Sequence, residues 1–205
     1  MNEKFFALSP DKQNTILNSA MAEFAQYDYK KASTDAIILR AGISKGLLFH
    51  YFGSKKSLYL YLFQYAMQFL VTEMRKDVLP NETDFFALLE NAQKSKIGIM
   101  RKHPDLFPFL TNAYIESDPA VAPTLSRENA GIMHQSREAI LARADDSKFK
   151  DGVSMAQTLD MILWMSDGLM RDRIREAPYD LDAINDEYLS CLAILKQNLY
   201  KEAFL

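Results

Sequence analysis

The sequence contains few of the residues that mark secreted, metal-binding or turn-rich proteins. Cys191 is the only cysteine among 205 residues, so no disulfide can form within the chain. The three histidines, His50, His103 and His134, have no metal-ligand spacing. Glycine and proline number seven each, too few for the many turns of an all-β protein. These absences favour a helical protein and predict no metal site.

Long apolar runs and enzyme motifs are also missing. No uncharged apolar stretch approaches the roughly 20 residues that cross a bilayer, and the opening residues MNEKFFALSPDK contain no signal-peptide core. We therefore expect a cytoplasmic protein without a membrane partner. The sequence contains no nucleophile motif and no phosphate-binding glycine loop. We expect no enzyme and no cofactor.

Charge is distributed unevenly along the chain. The total formal charge is −3, which by itself does not suggest a protein that binds nucleic acid. The segment from Tyr29 to Lys56, however, carries a net charge of +5. A local basic patch can attract DNA phosphates even on an acidic protein. A solvated surface would also explain this charge, so the charge alone does not decide the function.

Amphipathic helical patterns with clear boundaries cover the rest of the sequence. Proline and glycine separate the patterns, and no segment alternates as a strand would. We predict an all-α fold with a small N-terminal domain, residues 1–54, and a larger helical domain, residues 55–205. The predicted helices start at Ser9-Pro10-Asp11 (ending near Tyr27), at Thr34 as a cap, at 45–52, at 55–78 (closed by Pro80), at 84–102, 107–116, 124–144, 152–177 and, after Pro178, at 182–203.

The densest set of helix boundaries lies between Ser33 and Phe52. Two short helices joined by a glycine turn at Gly42 form a helix-turn-helix, whose second helix can enter the major groove of DNA. Leu48 and Phe52 should face inward with Ile43. The opposite face carries small, cationic and apolar side chains, beginning with the predicted cap Ser44 and continuing through Lys45, Gly46, Leu47, Phe49 and His50.

Three lysines occupy the first positions of predicted helices. Lys45 begins one helix, and Lys55 and Lys56 begin the next. Cations at these positions oppose the helix dipole by about 0.3–1 kcal/mol each. An anionic partner such as DNA phosphate would explain all three positions, and ordinary exposed lysines are the alternative.

The same residues resemble the TetR family of transcriptional regulators. The resemblance extends over about residues 7–62 and rests on Thr34, Ile37, Ala41-Gly42-Ile43-Ser44-Lys45-Gly46, Leu48, His50-Tyr51-Phe52, Ser54-Lys55 and Leu58. Leu47 and Phe49 depart from the hydroxylated residues frequent at those positions, so no operator sequence can be inferred. The resemblance implies a three-helix DNA-binding domain followed by a larger helical domain for ligand binding and dimerisation.

Roles for single residues follow from this resemblance and from side-chain chemistry. We expect Thr34, Tyr51 and Lys55 to contact phosphate, which positions a protein without specifying sequence. Lys45, Leu47, Phe49 and His50 are candidates for base edges, and the amides at Ser44 and Gly46 can approach the backbone. Tyr51 could equally be a core residue.

The larger domain is described less completely by the sequence. The resemblance implies a ligand pocket, for which the candidates are Met100, Phe107, Phe109, Tyr114, Met161, Trp164, Met165 and Gly168. Ordinary helical core is the alternative for each of them. Asp160 and Asp167 near Trp164 would suit a cationic aromatic ligand, unless these carboxylates pair with arginine or face solvent.

The last two helices are candidates for a homodimer interface. Two copies could form a four-helix bundle, and the last helix has an apolar stripe: Ile184, Tyr188, Cys191, Leu192, Leu195 and Leu199. Packing within one chain would explain the same stripe.

The favoured function is therefore a DNA-binding regulator, a repressor that an apolar, aromatic or cationic small molecule releases from double-stranded operator DNA. A helical adaptor that does not bind DNA is the main alternative, and activation instead of repression stays open.

Overall fold

The computed structural model describes residues 3–77, 81–174 and 180–205. The described residues fold as α-helices, with only two isolated β-bridges and one short 3-10 turn at Glu202–Phe204. They confirm the predicted all-α class. The helices are α1 Glu3–Phe6, α2 Pro10–Gln26, α3 Thr34–Ala41, α4 Lys45–Phe52, α5 Lys55–Lys76, α6 Phe85–Lys102, α7 Leu106–Ile115, α8 Ala122–Leu141, α9 Met155–Ile174 and α10 Leu181–Leu199.

The chain divides into two compact units. The first comprises Met1–Thr72 and Met100–Gly131, and the second comprises Glu73–Ile99 and Ile132–Leu205. The predicted boundary at residue 54 separates functions rather than packing units, and it stays a prediction. The helix end expected at Pro80 and the break expected at Pro178 lie outside the described residues.

The first unit contains the helices that the sequence places at the N-terminus. Pro10 occupies the first turn of α2, as predicted, and the apolar stripe of that helix is buried, with Ile16, Ala20 and Phe24 at 0% exposure. This stripe packs on α3, where Ile37 is also fully buried. At 0–1% exposure, burying an aliphatic side chain of this size contributes about 1.5–3 kcal/mol.

The sequence analysis did not predict α1, a single helical turn before α2. Its Phe5 is fully buried and contacts Phe52 at the end of α4, with ring centroids 4.9 Å apart. Phe5 also lies 6.1 Å from the ring of Tyr61 on α5. The pair Phe5-Phe6 was the available signal, because two adjacent aromatics are seldom both solvent-exposed.

The second unit has its own hydrophobic core. The core residues, all 5% exposed or less, are Phe85, Phe86, Leu89, Phe149, Leu159, Ile162, Leu192 and Tyr200. Asp84 caps α6 by accepting from the Ala87 N–H at 2.9 Å, and its other oxygen accepts from Lys148 at 2.9 Å. Hydrogen bonds at the start of α6 therefore join that helix to the segment before α9.

The apolar stripe predicted for the last helix belongs mainly to this core. Leu192 is fully buried, and Tyr188, Leu195 and Leu199 pack against the same cluster. Packing within the chain therefore explains these positions. No helix in the described part of the chain combines the length and apolar character needed to cross a membrane.

Candidate nucleic-acid interface

Backbone geometry places α3 and α4 on either side of a tight turn. Gly42 ends α3 with φ of 61°, the left-handed conformation that costs a side chain about 1–2 kcal/mol. Ser44 then caps α4, with its hydroxyl accepting from the Leu47 N–H at 3.3 Å. Ser33, not Thr34, caps α3 by accepting from the Ala36 N–H. The predicted cap is wrong by one position because Thr34 already has helical geometry.

The two faces of α4 differ sharply in exposure. Leu48, Tyr51 and Phe52 are 1%, 8% and 4% exposed and face the core, so the core interpretation of the Tyr51 ring is confirmed. The other face consists of the predicted recognition residues: Ser44, Lys45, Gly46, Leu47 and His50 are exposed, and Phe49 is partly buried. Leu47 is 41% exposed, unusual for leucine on a helix so firmly packed on its other side. This face of α4 can therefore approach a partner without unpacking.

The three lysines at helix starts have different surroundings. Lys45 pairs with Asp35 on α3 at 2.9 Å, and both side chains are well exposed, so the pair contributes about 1 kcal/mol or less. Lys56 is exposed. Lys55 is partly buried, and its ammonium donates to the carbonyls of Ala32 at 2.5 Å and Lys30 at 3.2 Å. Partners inside the protein therefore account for Lys45 and Lys55.

Lys55 also stacks over an aromatic ring. Its Nζ lies 5.1 Å from the ring centroid of Tyr29, within the range of a cation–π contact. Burial lowers the pKa of Lys55, while Asp28 and Glu23 oppose that effect. The ammonium at the start of α5 thus ties down the loop between α2 and α3.

Two side chains from α7 and the residue after it hold the same region. Asn112 donates to the carbonyls of Phe24 and Ala25 at the end of α2, at 3.1 and 2.9 Å. Glu116 accepts from the Tyr29 N–H at 2.8 Å. The sequence analysis did not identify these residues, because an isolated polar residue carries no signal of a partner nearly ninety positions away.

Buried Glu23 completes the support of α3. It is 3% exposed, and its carboxylate accepts from the Ser33 N–H at 2.8 Å. The start of α3 is therefore fixed to α2, and the helix pair that the turn at Gly42 joins is held as one body.

Comparison with known proteins agrees with this geometry. Residues 16–62 match the family model described as bacterial regulatory proteins of the tetR family. A TetR family transcriptional regulator from Chloroflexus aurantiacus shares 25% identity and a TM-score of 0.69, covering 98% of this chain and 99% of that chain. The chain belongs to the TetR family of transcriptional regulators.

Other TetR-like structures share the fold at lower identity. A TetR-like transcriptional regulator from Rhodococcus sp. RHA1 has 21% identity and a TM-score of 0.67, with 93% of this chain and 98% of that chain covered. The fatty acid degradation regulator FadR from Bacillus halodurans has 19% identity and a TM-score of 0.69, with 87% and 96% covered. No curated protein matches the sequence.

The ligand candidates of this TetR-family chain fall into two groups. Met100, Phe107, Phe109 and Tyr114 belong to the first unit, and Met161, Trp164, Met165 and Gly168 belong to the second. Met100, Phe107 and Phe109 are buried, whereas Met161 and Trp164 are 46% and 72% exposed. Tyr114 is partly buried and Gly168 is exposed. Phe109 packs on Tyr59 with ring centroids 5.7 Å apart, as a core residue does.

The carboxylates expected beside a cationic ligand have arginine partners. Asp160 accepts from Arg137 at 2.6 and 3.2 Å, and Asp167 accepts from Arg171 at 2.9 Å. The Arg137 guanidinium lowers the pKa of Asp160. A cationic ligand at Trp164 would therefore have to displace an arginine.

Large apolar side chains on α9 and α10 are exposed. Besides Met161 and Trp164 on α9, Ile194 on α10 is 58% exposed. Met165 packs against the core of the second unit instead. The exposed set differs from the stripe that the sequence analysis assigned to a dimer.

A surface cleft of about 400 Å³ lies in the first unit, beside the loop that Lys55 holds. Its lining consists of Asp28, Lys30, Lys31, Asn112, Ile115, Glu116, Ser117, Asp118 and Pro119. Glu116 also accepts from the N–H groups of Ser117 and Asp118. Hydrogen bonds within the first unit thus already engage the cleft's central carboxylate. No group of three or more metal-ligating side chains occurs among the described residues.

Proposed function

We propose that this TetR-family chain is a repressor that binds operator DNA as a homodimer and leaves it when a small molecule binds. The observation that supports DNA binding most directly is the exposed face of α4 described above. Its side chains point away from a buried face at 1–8% exposure. A helix held rigidly from behind can enter a major groove without paying for rearrangement.

The proposed contacts follow from this exposure. Lys45, Leu47, Phe49 and His50 would read base edges, with Leu47 and Phe49 suited to thymine methyl groups. Thr34 and the first-turn amides at Ser44 and Gly46 would approach phosphate. Binding of DNA would require Lys45 to exchange Asp35 for phosphate or base, a small cost for an exposed pair.

For Lys55 and Tyr51 we propose indirect roles. The Lys55 ammonium holds the loop before α3 through two carbonyl groups, and the Tyr51 ring anchors α4 in the core beside Phe5. Direct phosphate contact by either residue is the competing proposal. The salt dependence of binding distinguishes the two for Lys55, as developed in the Discussion.

The homodimer is proposed to form through the exposed apolar residues of α9 and α10. An exposed tryptophan beside Met161, with Ile194 exposed on the neighbouring helix, is characteristic of an interface. Trp164→Glu should convert the dimer to monomers in sedimentation at micromolar concentration. Gln157→Glu, an exposed position of α9, is the charge-matched control, and a dimer that survives Trp164→Glu contradicts this interface.

Release by a ligand needs a mechanical connection to the DNA-binding helices. We propose that α7 provides part of it, since Asn112 and Glu116 hold the end of α2 and the following loop. The long helix α5, which begins at Lys55, would provide the other part. Ligand binding would then favour a dimer whose two recognition helices no longer match major grooves about 34–36 Å apart.

The test is selection of bound sequences from a random duplex pool, followed by salt titration of the selected duplex. A regulator should lose affinity steeply as salt rises. Absence of duplex binding would contradict the proposal and favour the adaptor alternative. A cytoplasmic location is part of the same proposal, because operator DNA lies there. Screening for molecules that release the selected duplex then tests ligand control, and reporter expression distinguishes repression from activation.

A further inference from the structure

One face of α6 in the second unit carries two polar side chains that the protein leaves unpaired. Leu89, Gln93 and Lys96 follow one another at helical spacing and therefore share this face. Leu89 belongs to the hydrophobic core. Gln93 is only 7% exposed, and Lys96 is partly buried. An amide and an ammonium thus lie one turn apart beside an apolar residue.

Neither polar side chain has a hydrogen bond or ion pair with any residue that the structure describes. The neighbouring positions behave differently. Ser95 is buried too, but its hydroxyl donates to Asp77 at 2.6 Å, and Lys94 is exposed to solvent. Missing partners are therefore specific to the face that Gln93 and Lys96 share.

Buried polar groups in folded proteins almost always have a partner, since leaving them unpaired is costly. Burial lowers the pKa of Lys96, and no carboxylate in the described part of the chain opposes that effect. In this respect Lys96 differs from Lys55, whose ammonium has two carbonyl partners. A pair of unsatisfied donors on a buried helix face is the arrangement of a binding site that awaits its ligand.

We propose that Gln93 and Lys96 bind the carboxylate of an apolar organic acid, and that this acid is the ligand that controls DNA binding. The Lys96 ammonium would pair with the carboxylate, the Gln93 amide would donate to the same group, and the apolar body would pack against residues such as Leu89. This inference rests on the proposed ligand control and adds the class of ligand.

A carboxylate fits these residues better than a phosphate. One ammonium balances the single negative charge of a carboxylate, whereas a phosphate ester carries nearly two charges and is usually held by several cations or by a helix N-terminus. Gln93 and Lys96 lie in the middle of α6, where no free backbone N–H groups are available.

The first test compares acids with their neutral primary amides. The probes are straight-chain carboxylates from butyrate to palmitate together with benzoate and phenylacetate, each matched with its amide. We expect at least one acid to raise the melting temperature clearly more than its amide does. Lys96→Met should weaken binding of that acid about thirtyfold or more, as when one partner of a buried charge pair is removed. The exposed neighbour provides the control, Lys94→Met, which should keep the response.

The second test needs no ligand. An unpaired ammonium destabilises the folded protein, so Lys96→Met should raise the melting temperature of the free protein relative to Lys94→Met. The pKa of Lys96 is lowered below its ordinary 10.5, so the folded protein loses this ammonium at lower pH than the unfolded chain. The advantage of Lys96→Met should therefore shrink as pH rises toward 10.5.

The outcomes separate this inference from the proposed function. If acids and amides act alike throughout the panel, or if Lys96→Met keeps the acid response or destabilises the free protein, the carboxylate site is refuted. DNA binding by that same protein, with release by a neutral compound, would leave the proposed function intact. Conversely, an acid that binds through Lys96 without releasing DNA would support the site and refute ligand control.

Discussion

Replacing Lys55 by methionine distinguishes two roles for a lysine at the start of a DNA-binding module. Methionine keeps most of the apolar stem and removes the ammonium that donates to Ala32 and Lys30. A hydrogen bond with a charged partner contributes about 1.5–3 kcal/mol. Because Lys55 is partly exposed, we reduce the sum of two such bonds to about 2 kcal/mol in total.

The expected result is a lower melting temperature with an unchanged salt dependence. A loss of about 2 kcal/mol should lower the melting temperature by about 4–8 °C in a chain of this size. Affinity should fall equally for the selected duplex and for random duplex, since the loop before α3 is no longer held. Each direct phosphate contact adds about 0.9 to the slope of log K against log salt, and we expect Lys55→Met to leave that slope unchanged.

Lys56→Met is the matched control, because it removes the same charge from the adjacent, exposed position. Its melting temperature should stay within about 1 °C of the wild-type value, as for most surface substitutions. Thermal unfolding and binding at several salt concentrations measure both quantities. The reasoning is refuted if Lys55→Met keeps the wild-type melting temperature and lowers the slope by about 0.9, as a phosphate contact would.

Three further changes test other parts of the fold. Gly42→Ala should cost about 1–2 kcal/mol, since φ is 61° there and no atom lies within 4 Å of the added Cβ; Gly46→Ala should instead stabilise α4 by up to about 1 kcal/mol and weaken DNA binding, a pattern that fails if affinity is unchanged. Tyr59→Phe should stabilise the protein by about 1 kcal/mol in chemical denaturation, because the fully buried Tyr59 hydroxyl has no partner in the described residues; a loss of stability would reveal one. Burial raises the pKa of Asp84, but the Ala87 N–H and Lys148 lower it further, so the net pKa is below 3.8; stability from this group is complete above pH 3.8 and declines as pH falls through the lowered value. Asp84→Asn should therefore destabilise the protein by about 1–3 kcal/mol at pH 7, and the difference should narrow at acid pH.

The helix-turn-helix is the part of the protein that sequence patterns predicted best. Turns and caps depend on neighbours a few residues away, which is why Gly42 and Ser44 were predicted correctly and Thr34 was displaced by only one position. The exposed recognition face follows from the same helical periodicity. Isolated local elements without periodicity were missed, as α1 was.

The second domain shows the limit of periodic patterns. An apolar stripe predicts that one face is covered but does not say by what. The stripe of Tyr188, Leu192, Leu195 and Leu199 is covered by the chain's own core, while Trp164, first considered for a pocket, is 72% exposed. Choosing between core, pocket and interface needs the positions of helices far away in sequence.

The sequence by itself determined the all-α class, the two short helices with their glycine turn, and the basic segment in an acidic chain, since these depend on composition and local spacing. Only the tertiary structure decided which polar groups are satisfied. It gave the Lys55 ammonium two carbonyl partners, joined Glu116 to the Tyr29 N–H, and left Gln93 and Lys96 without partners among the described residues. A hydrogen bond depends on distances of a few ångströms between segments that the sequence separates by tens of residues, and no local pattern records those distances.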